Sequence, residues 1–370
     1  MSFPNFLSFD RWRCFLHHIP CRMMLTLPYE LVVRARQFLY TKGWLQTRRL
    51  PCPVISIGNL TVGGTGKTPM VIWLATWLQA QGKQVGILSR GYGRIRSRET
   101  RLVSNGQSTL LSPKEGGDEP VLIANRCPGV VVAVGPDRYR VGQWVGKQFP
   151  IDCFLLDDGF QHVGLYRDVN LLLLDATDID GLRALVPVGR LREPLLAASR
   201  ATAIVLTRSS LNKKSQSVLE LVEKSLGHTI QPIQVDFDVG EFIHVPTGRK
   251  QPCQWAKKRK GLIFCGIAQA DHFRAMVSHL HVEILDALVF PDHYVYTPSH
   301  WASIRGRAAR LGASIMMTTE KDAVKIRPFL ANNEDVWAIR LDVRLKSGME
   351  QLESQLFDVI QGRSVSRQVT

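Results

Sequence analysis

The sequence lacks paired cysteines, a long apolar segment and an internal repeat. Its seven cysteines are scattered without a C-x-x-C pair. That pattern excludes a disulfide framework and a thiolate zinc site, and it indicates a reducing compartment. No apolar run approaches the ~20 residues that cross a bilayer, and the chain start lacks the apolar region of an export signal. We therefore expect a chain that neither spans a membrane nor is exported.

Acidic residues are in short supply. Asp and Glu total 32 against 47 Lys and Arg, which gives a formal net charge of +15. Such an excess indicates an acidic partner, and by charge alone this could be nucleic acid, an anionic membrane surface or a phosphorylated substrate. The basic residues are spread along the chain and no nucleic-acid recognition module is present. We therefore expect no nucleic acid partner.

The most informative segment, Val54–Pro69, has the pattern of a buried strand, a glycine-rich turn and a helix start. Glycines let consecutive N–H groups converge on one anion, and the helix directs the positive end of its dipole to the same point. Lys67 would reach the β- and γ-phosphates of a nucleotide, and the Thr68 hydroxyl is placed to bind magnesium. An ordinary glycine-rich turn is the alternative, and Thr61 replaces the first glycine of the G-x-x-x-x-G-K-[ST] pattern. The predicted nucleotide-binding residues are Gly63, Gly64, Thr65, Gly66, Lys67 and Thr68.

Continuous apolar runs recur along the chain, separated by stretches of helix length. Strands that are apolar on both faces indicate a mainly parallel sheet covered by helices on each side. The predicted fold is a P-loop NTPase-like, doubly wound α/β domain with a second, smaller α/β domain joined by a short β linker. The runs span 85–89, 130–134, 153–156, 169–174, 203–206, 261–265 and 336–341.

Changes of pattern set the expected domain boundaries. A cluster of Pro246, Thr247, Gly248 and Pro252 separates the two α/β units. The expected divisions are an N-terminal interfacial helical region (1–49), a P-loop core (50–236), a linker (237–256), a smaller α/β domain (257–345) and a closing helix with a tail (346–370).

Two adjacent acids, Asp157 and Asp158, end the apolar run 151–156, which is the arrangement called Walker B. An acid at this place reaches the metal that Thr68 also holds. Solvated acids at a strand end are the alternative. Neighbouring strand residues point to opposite faces, so we expect only one of the two to contact the metal, and the sequence does not say which.

Asp118 and Glu119 lie on the loop 116–120, which begins with two flexible glycines and comes just before an apolar helix. The alternative role for Asp118 is a helix N-cap, for which aspartate is favoured. A phosphate-transferring enzyme needs a carboxylate that accepts or orients the proton of the attacking hydroxyl, and Asp118 is a candidate if the loop folds over the phosphates. His293, in the run 290–294, is unremarkable by residue type alone.

The N-terminal region combines apolar and basic residues in a pattern typical of a helix at a membrane interface. Arg34 and Arg36 flank one apolar helical face, and their stems could reach toward headgroups. A helix docked on the protein's own core is the alternative. Aromatic residues precede this helix at Phe3, Phe6, Phe9, Trp12 and Phe15, and its predicted apolar face comprises Leu31, Val32, Ala35, Phe38 and Leu39.

Seven motifs together resemble the tetraacyldisaccharide 4'-kinase family of lipid A biosynthesis. The resemblance runs from about residue 25 to about residue 345, and the shared order of the motifs makes it far more specific than any one of them. The family itself shares the deviation at Thr61. The motifs are Gly58–Pro69, Ser89–Gly93, Gly117–Pro120, Leu156–His162, Leu191–Pro194, Phe290–Tyr294 and Thr318–Asp322.

This resemblance implies transfer of the ATP γ-phosphate to the 4'-hydroxyl of a tetraacyl glucosamine disaccharide 1-phosphate. The expected cofactors are ATP and Mg²⁺, and the expected place is the cytoplasmic face of the bacterial inner membrane, as a peripheral protein on an anionic surface. A substrate with four acyl chains stays embedded, so the enzyme must come to the interface.

The resemblance also implies roles for single residues. Asp118 is similar to the family's catalytic carboxylate and pairs with His293, and Lys67 is the third residue expected to act in catalysis. An imidazole beside an aspartate can orient it and share the proton. The implied metal-binding residues are Thr68, Asp157, Asp158 and Glu119. Gln161, His162 and Arg192 are the implied substrate or phosphate contacts, Gln161 also as a partner of the metal's waters.

A regulatory P-loop NTPase at the membrane is the alternative function. The guanine signature [NT]-K-x-D fails, because Lys321 and Asp322 are adjacent. The partitioning-type ATPase signature fails as well, because Val62 stands where a lysine precedes Gly-Gly. Both absences favour the kinase.

Overall fold

The structure is a computed structural model that describes residues 19–211 and 215–363. The thirteen strands of these residues form one sheet. The aromatic residues predicted at the N-terminus, from Phe3 to Phe15, lie outside the described residues. The strands are β1 (Val54–Asn59), β2 (Val85–Ser89), β3 (Arg101–Asn105), β4 (Val131–Val134), β5 (Cys153–Asp157), β6 (Val169–Asp175), β7 (Ala203–Thr207), β8 (Ile233–His244), β9 (Lys250–Pro252), β10 (Lys260–Cys265), β11 (Glu283–Val289), β12 (Ile315–Thr319) and β13 (Val336–Ser347).

Helices connect most of these strands. Short 3₁₀ segments also occur, at 180–182, 195–200, 209–211, 253–256 and 327–329. The α-helices of the described residues are α1 (Ile19–Thr41), α2 (Lys67–Ala80), α3 (Pro113–Gly116), α4 (Asp118–Arg126), α5 (Arg138–Gly146), α6 (Ser215–Leu226), α7 (Ala270–His279), α8 (Pro298–Leu311), α9 (Glu320–Ile326) and α10 (Met349–Ile360).

The strand order is β11-β10-β12-β13-β8-β7-β6-β1-β5-β2-β4-β3, and β9 pairs with β8. Neighbouring strands are parallel except at β3–β4, β8–β9 and β8–β13. β1, β2, β4, β5, β6 and β7 are buried along their whole length, as continuous apolar strands between two helical layers must be. The predicted doubly wound, mainly parallel α/β fold is confirmed.

Two long strands join the parallel parts of the sheet. β8 begins parallel to β7, with Val205 opposite Ile233. It then runs antiparallel to β13, whose first residues pair in parallel with β12. We call β1 to β7 the cradle side of the sheet and β10 to β12 its outer side. Residues 237–244 of the predicted linker form the second part of β8, and the division into domains stays a prediction.

Helix α2 shows why the sequence folds this way around the glycine-rich turn. Val71, Leu74, Ala75 and Leu78 recur at helical spacing and are all fully buried against the sheet. Burying each large aliphatic side chain contributes roughly 1.5–3 kcal/mol. The start of α2 is thereby fixed at the carboxyl end of β1.

Helix α1 packs on the cradle side through only part of its surface. The Tyr29 hydroxyl donates to the backbone carbonyl of Arg192 at 2.8 Å. Leu27, Leu31, Val32 and Phe38 are 52–67% exposed, so much of the predicted apolar face is open to solvent. No helix of the described residues is both long and apolar enough to cross a bilayer.

Substituting Gly58 tests the close packing beneath the cradle. A Cβ at Gly58 would lie 2.6 Å from the backbone nitrogen of Phe160, so Gly58→Ala must displace the backbone. We expect it to lower the free energy of unfolding by about 1–3 kcal/mol in urea unfolding. Gly146→Ala, at the end of α5 with open space around it, is the matched control and should change stability by less than ~1 kcal/mol. Equal stability of the two variants would contradict this packing.

Candidate active site

The glycine-rich turn after β1 has a backbone that requires glycine. Gly63 and Gly66 have φ values of 128° and 86°, in the region that side chains disfavour. A Cβ at Gly66 would also lie 2.1 Å from the Phe237 ring of β8. The turn therefore curls directly into α2, and the N-terminus of α2 faces an open cleft. This is the geometry that binds a phosphate group.

Two residues at the end of β7 donate hydrogen bonds to backbone carbonyls of this turn. The Thr207 hydroxyl donates to the carbonyl of Thr65 at 3.1 Å, and the Arg208 guanidinium donates to the carbonyl of Gly64 at 3.2 Å. A trans peptide places N–H opposite C=O, so the N–H of Gly66 points away from β7. Arg208 also pairs with buried Asp175.

Gln269, before α7 on the outer side, reaches the same cluster and donates to Asp175 at 2.9 Å. Sequence reasoning missed Asp175, Arg208 and Gln269. The available signal was the position of Asp175 at the end of β6, next to β1, and of Arg208 directly after β7, the next strand along.

Lys67 lies at the first position of α2 and is mostly buried. Its Nζ donates to Asn59 Oδ1 at 3.2 Å and lies 3.5 Å from Asp158 Oδ1. Thr68, the next residue, lines the same cleft. Both predicted phosphate and metal residues of α2 therefore face the end of β5.

Asp157 and Asp158 have different surroundings. Asp157 accepts a hydrogen bond from Ser89 at 2.8 Å through Oδ2, and its buried Oδ1 has no hydrogen-bond partner among the described residues. Burial, together with the charges of Glu119 and Asp158, raises the pKa of Asp157 to about 7. Burial also raises the pKa of Asp158, but the charges of Lys67 and Arg192 outweigh it and hold that pKa below its ordinary value.

Oδ1 of Asp157, which has no hydrogen-bond partner among the described residues, is suited to bind a cation together with the neighbouring acids. No three His, Cys, Asp or Glu side chains of residues 19–211 and 215–363 converge closely enough to hold a metal by themselves. Mg²⁺ commonly takes one or two carboxylates and completes its shell with waters and phosphate oxygens. The donor set of Asp157, Asp158 and the Thr68 hydroxyl fits this mode of binding.

Asp118 and His293 meet across the cleft. Asp118 begins α4 on the cradle side, and His293 lies between β11 and α8 on the outer side. His293 Nδ1 is 3.0 Å and 3.2 Å from the two carboxylate oxygens of Asp118. Sequence reasoning from residue type found nothing special in His293; only the resemblance paired it with Asp118.

Electrostatics keep the Asp118 carboxylate charged. Burial raises the pKa of Asp118, but the hydrogen bond from His293 and the charge of Lys321 outweigh it, so the pKa lies below its ordinary value. Burial lowers the pKa of His293, and the hydrogen bond to Asp118 reverses that, so the pKa lies above its ordinary value. Glu119 lines the cleft and accepts a hydrogen bond from Lys321 at 3.0 Å.

The three predicted substrate contacts lie along the other wall of the cleft. Arg192 donates to Asp158 Oδ2 at 2.8 Å and to Gln161 Oε1 at 3.4 Å. Gln161 donates to the carbonyl of Asn59 at 2.8 Å. Burial, aided by the charge of Arg138, lowers the pKa of His162 to about 4. His162 is therefore neutral near pH 7.

All the predicted site residues except Asp118 line one cleft of about 1620 Å³. Asp118 is buried beside it and contacts His293, which is part of the lining. One wall of this cleft is helix α1, through Tyr29, Val33 and Tyr40. The nucleotide cradle, the cross-cleft pair and the partly exposed helix thus share one space.

The chain matches one protein family over most of its length. The tetraacyldisaccharide-1-P 4'-kinase family profile matches residues 21–361. The chain belongs to the tetraacyldisaccharide 4'-kinase family. The family's member from Geobacter metallireducens is 39% identical over 322 residues, covering 87% of this chain and 93% of that protein. The member from Geobacter sulfurreducens is 40% identical over 316 residues, covering 85% and 86%.

The family's fold is also shared. The crystal structure of LpxK from Aquifex aeolicus in complex with ATP has a TM-score of 0.73 to this chain at 33% identity, covering 91% of this chain and 98% of that one. The predictions of family, fold and an ATP-dependent kinase are confirmed. The roles of single residues stay predictions.

Replacing His162 tests its neutral state. Its pKa is about 4 in the folded protein against 6.5 ordinarily, so unfolded chains take up a proton first as pH falls. Stability is therefore lost between about pH 6.5 and about pH 4. Between pH 7 and pH 5, we expect the free energy of unfolding of His162→Asn to fall by about 2 kcal/mol less than that of wild type, as measured by urea unfolding. Exposed His281→Asn is the control, and a wild-type-like pH profile for His162→Asn would contradict a neutral His162.

Proposed function

We propose that the protein transfers the γ-phosphate of ATP to the 4'-hydroxyl of a tetraacyl glucosamine disaccharide 1-phosphate, as a peripheral protein at the cytoplasmic face of the bacterial inner membrane. The single observation that carries the residue-level mechanism is the 3.0 Å contact between His293 and Asp118 beside the phosphate cradle. It provides a proton acceptor next to the place where a phosphoryl group would be transferred.

The cradle residues hold the phosphates in this mechanism. The N–H groups of the turn and the Lys67 ammonium bind phosphate oxygens. Arg208 stabilises the turn through its hydrogen bond to the Gly64 carbonyl. Thr68, Asp157, Asp158 and Glu119 are the proposed ligands of Mg²⁺, which neutralises phosphate charge when bound. Arg192 and His162 would contact the acceptor or its phosphate.

Asp118 is the proposed proton acceptor. Its carboxylate is buried, charged and held by His293, and an oriented carboxylate accepts the proton of the attacking hydroxyl as the new phosphate ester forms. His293 would orient Asp118 and share the proton. A regulatory NTPase that hydrolyses its nucleotide needs no sugar acceptor, and the cleft walled by α1 is large enough for one.

Helix α1 is the proposed membrane contact. Its exposed apolar residues and the basic residues beside them suit an anionic interface. Tyr29, Val33 and Tyr40 of the same helix line the cleft, so an embedded lipid could present its sugar to the cradle without leaving the bilayer. This arrangement supports a substrate that keeps its acyl chains in the membrane.

One assay tests the function. Purified protein is incubated with ATP, magnesium and detergent-dispersed disaccharide 1-phosphate lipid, and the product is analysed for a phosphate ester at the 4' position. Lys67→Met is the inactive control, and Lys83→Met, a half-buried lysine after α2 that does not line the cleft, is the active one. ATP hydrolysis without a lipid product would favour the regulatory NTPase.

A double-mutant cycle tests the Asp118–His293 pair. Asp118→Ala and His293→Ala should each lower kcat by about 10²–10⁴-fold with smaller changes in the ATP KM. Removing both should cost little more than removing the more severe one, because residues that act as a unit are not additive. The cycle is measured at saturating lipid. Strict additivity would leave Asp118 as the sole proton acceptor.

Polar residues on α1 test the membrane contact. Leu27 and Leu31 are 59% and 66% exposed. Replacing both by Ser should lower co-sedimentation with phosphatidylglycerol vesicles by at least about tenfold, because each buried side chain contributes roughly 1.5–3 kcal/mol. Activity on detergent-dispersed lipid should remain. Leu110→Ser, on an exposed loop of the cradle side, is the control, and unchanged vesicle binding of the α1 variant would count against the proposal.

A further inference from the structure

Lys321 belongs to the motif Thr318–Asp322, to which the proposed function gives no role. It lies in the first turn of α9 on the outer side. Its Nζ is 3.0 Å from Glu119 Oε1, 3.3 Å from Asp292 Oδ1 and 3.3 Å from His293 Nε2. One ammonium thus touches the imidazole of the cross-cleft pair and the acid that follows Asp118 in the chain.

This ammonium is a fixed positive charge. Its Nζ lies close to three carboxylates, at 3.0 Å from Glu119, 3.3 Å from Asp292 and 3.9 Å from Asp118. The side chain is only 16% exposed. Lys321 therefore cannot serve as a base, and it has three hydrogens to donate.

The contact with His293 sets the state of the imidazole. An ammonium has no lone pair, so in the neutral imidazole Nε2 accepts the hydrogen bond from Lys321. The ring proton then lies on Nδ1 and points at Asp118. The Nε2 lone pair is engaged, which leaves the carboxylate of Asp118 as the group free to receive a proton.

We propose that Lys321 is a positioning residue for phosphate transfer, which holds His293 in the tautomer that donates to Asp118. This inference rests on the proposed function of Asp118. It adds Lys321 to Asp118, His293 and Lys67 in the reaction centre. Asp118 is then the group that receives the proton, and His293 shares that proton through their hydrogen bond.

Lys325, one turn later on α9, provides a contrast. Its Nζ also lies 3.9 Å from Asp118, but it pairs with buried Asp322 at 2.8 Å. Asp322 in turn accepts from the backbone N–H of Gly266 and from Thr319. Lys325 therefore belongs to a network that holds the outer side together, whereas the partners of Lys321 are cleft residues.

Substitution of Lys321 gives the first test. Lys321→Met keeps the length of the side chain and removes its charge. We expect kcat to fall about 10–100-fold, the range typical for residues that orient active groups, while the ATP KM and the thermal midpoint stay near wild type. Lys321→Arg, which keeps the charge and donors, should recover part of kcat. Lys250→Met, which breaks an exposed ion pair with Glu241, is the control.

Combining Lys321→Met with His293→Ala gives the second test. If Lys321 acts through His293, its substitution should cost much less in the His293→Ala background than in wild type. Equal cost in both backgrounds would overturn the proposal. So would a loss confined to the ATP KM, which would make Lys321 a phosphate contact, or wild-type kcat in Lys321→Met. If Lys321→Met does not fold, the Lys321→Gln variant is compared in the same two backgrounds.

The two proposals fail in different ways. Wild-type protein that forms no 4'-phosphorylated lipid would remove the proposed function. Active wild type with a fully active Lys321→Met would leave that function intact and remove only the role of Lys321.

Discussion

The antiparallel pairing of β8 with β13 is the constraint on which the site depends. It joins the cradle side and the outer side edge to edge in one sheet. Asp118 and His293, separated by 175 positions in the chain, meet because of this junction. Gln269 and Lys321 reach across to Asp175 and Glu119 for the same reason. A cradle side alone would bind phosphate without its cross-cleft partners.

Charge balance around the cleft follows from that junction. The cradle side supplies most of the acids, and the outer side supplies Lys321 and His293 opposite them. Asp158, paired with Lys67 and Arg192, stays ionised, whereas Asp157 has its pKa raised by its acidic neighbours. Two adjacent carboxylates thus reach different proton affinities. The difference arises from the charges around them, which are Lys67 and Arg192 beside Asp158 and Glu119 beside Asp157.

Much of the fold and part of the site could be predicted from the sequence. Apolar runs predicted β2 and β4 to β7 within a residue, and the glycine pattern predicted the turn before Lys67. The edge strands β3 and β11 are only partly buried, so their sequences carry no continuous apolar run. Sequence also could not show that Asp158 and His293 have positive φ values, 51° and 58°, because that strain is imposed by tertiary contacts. Arg208 follows a strand end and Lys321 lies in a motif, but the residues that they contact are distant in the chain, so their roles could not be predicted.

Helix α1 is connected to the nucleotide site by an unbroken series of polar contacts. Tyr29 donates to the Arg192 carbonyl, the Arg192 guanidinium pairs with Asp158, and Asp158 faces Lys67. Deleting α1 to obtain a more soluble protein would therefore disturb Lys67 as well as the surface proposed to contact lipid. Polar substitutions at the exposed apolar residues of α1 that keep Tyr29 would leave the phosphate site undisturbed.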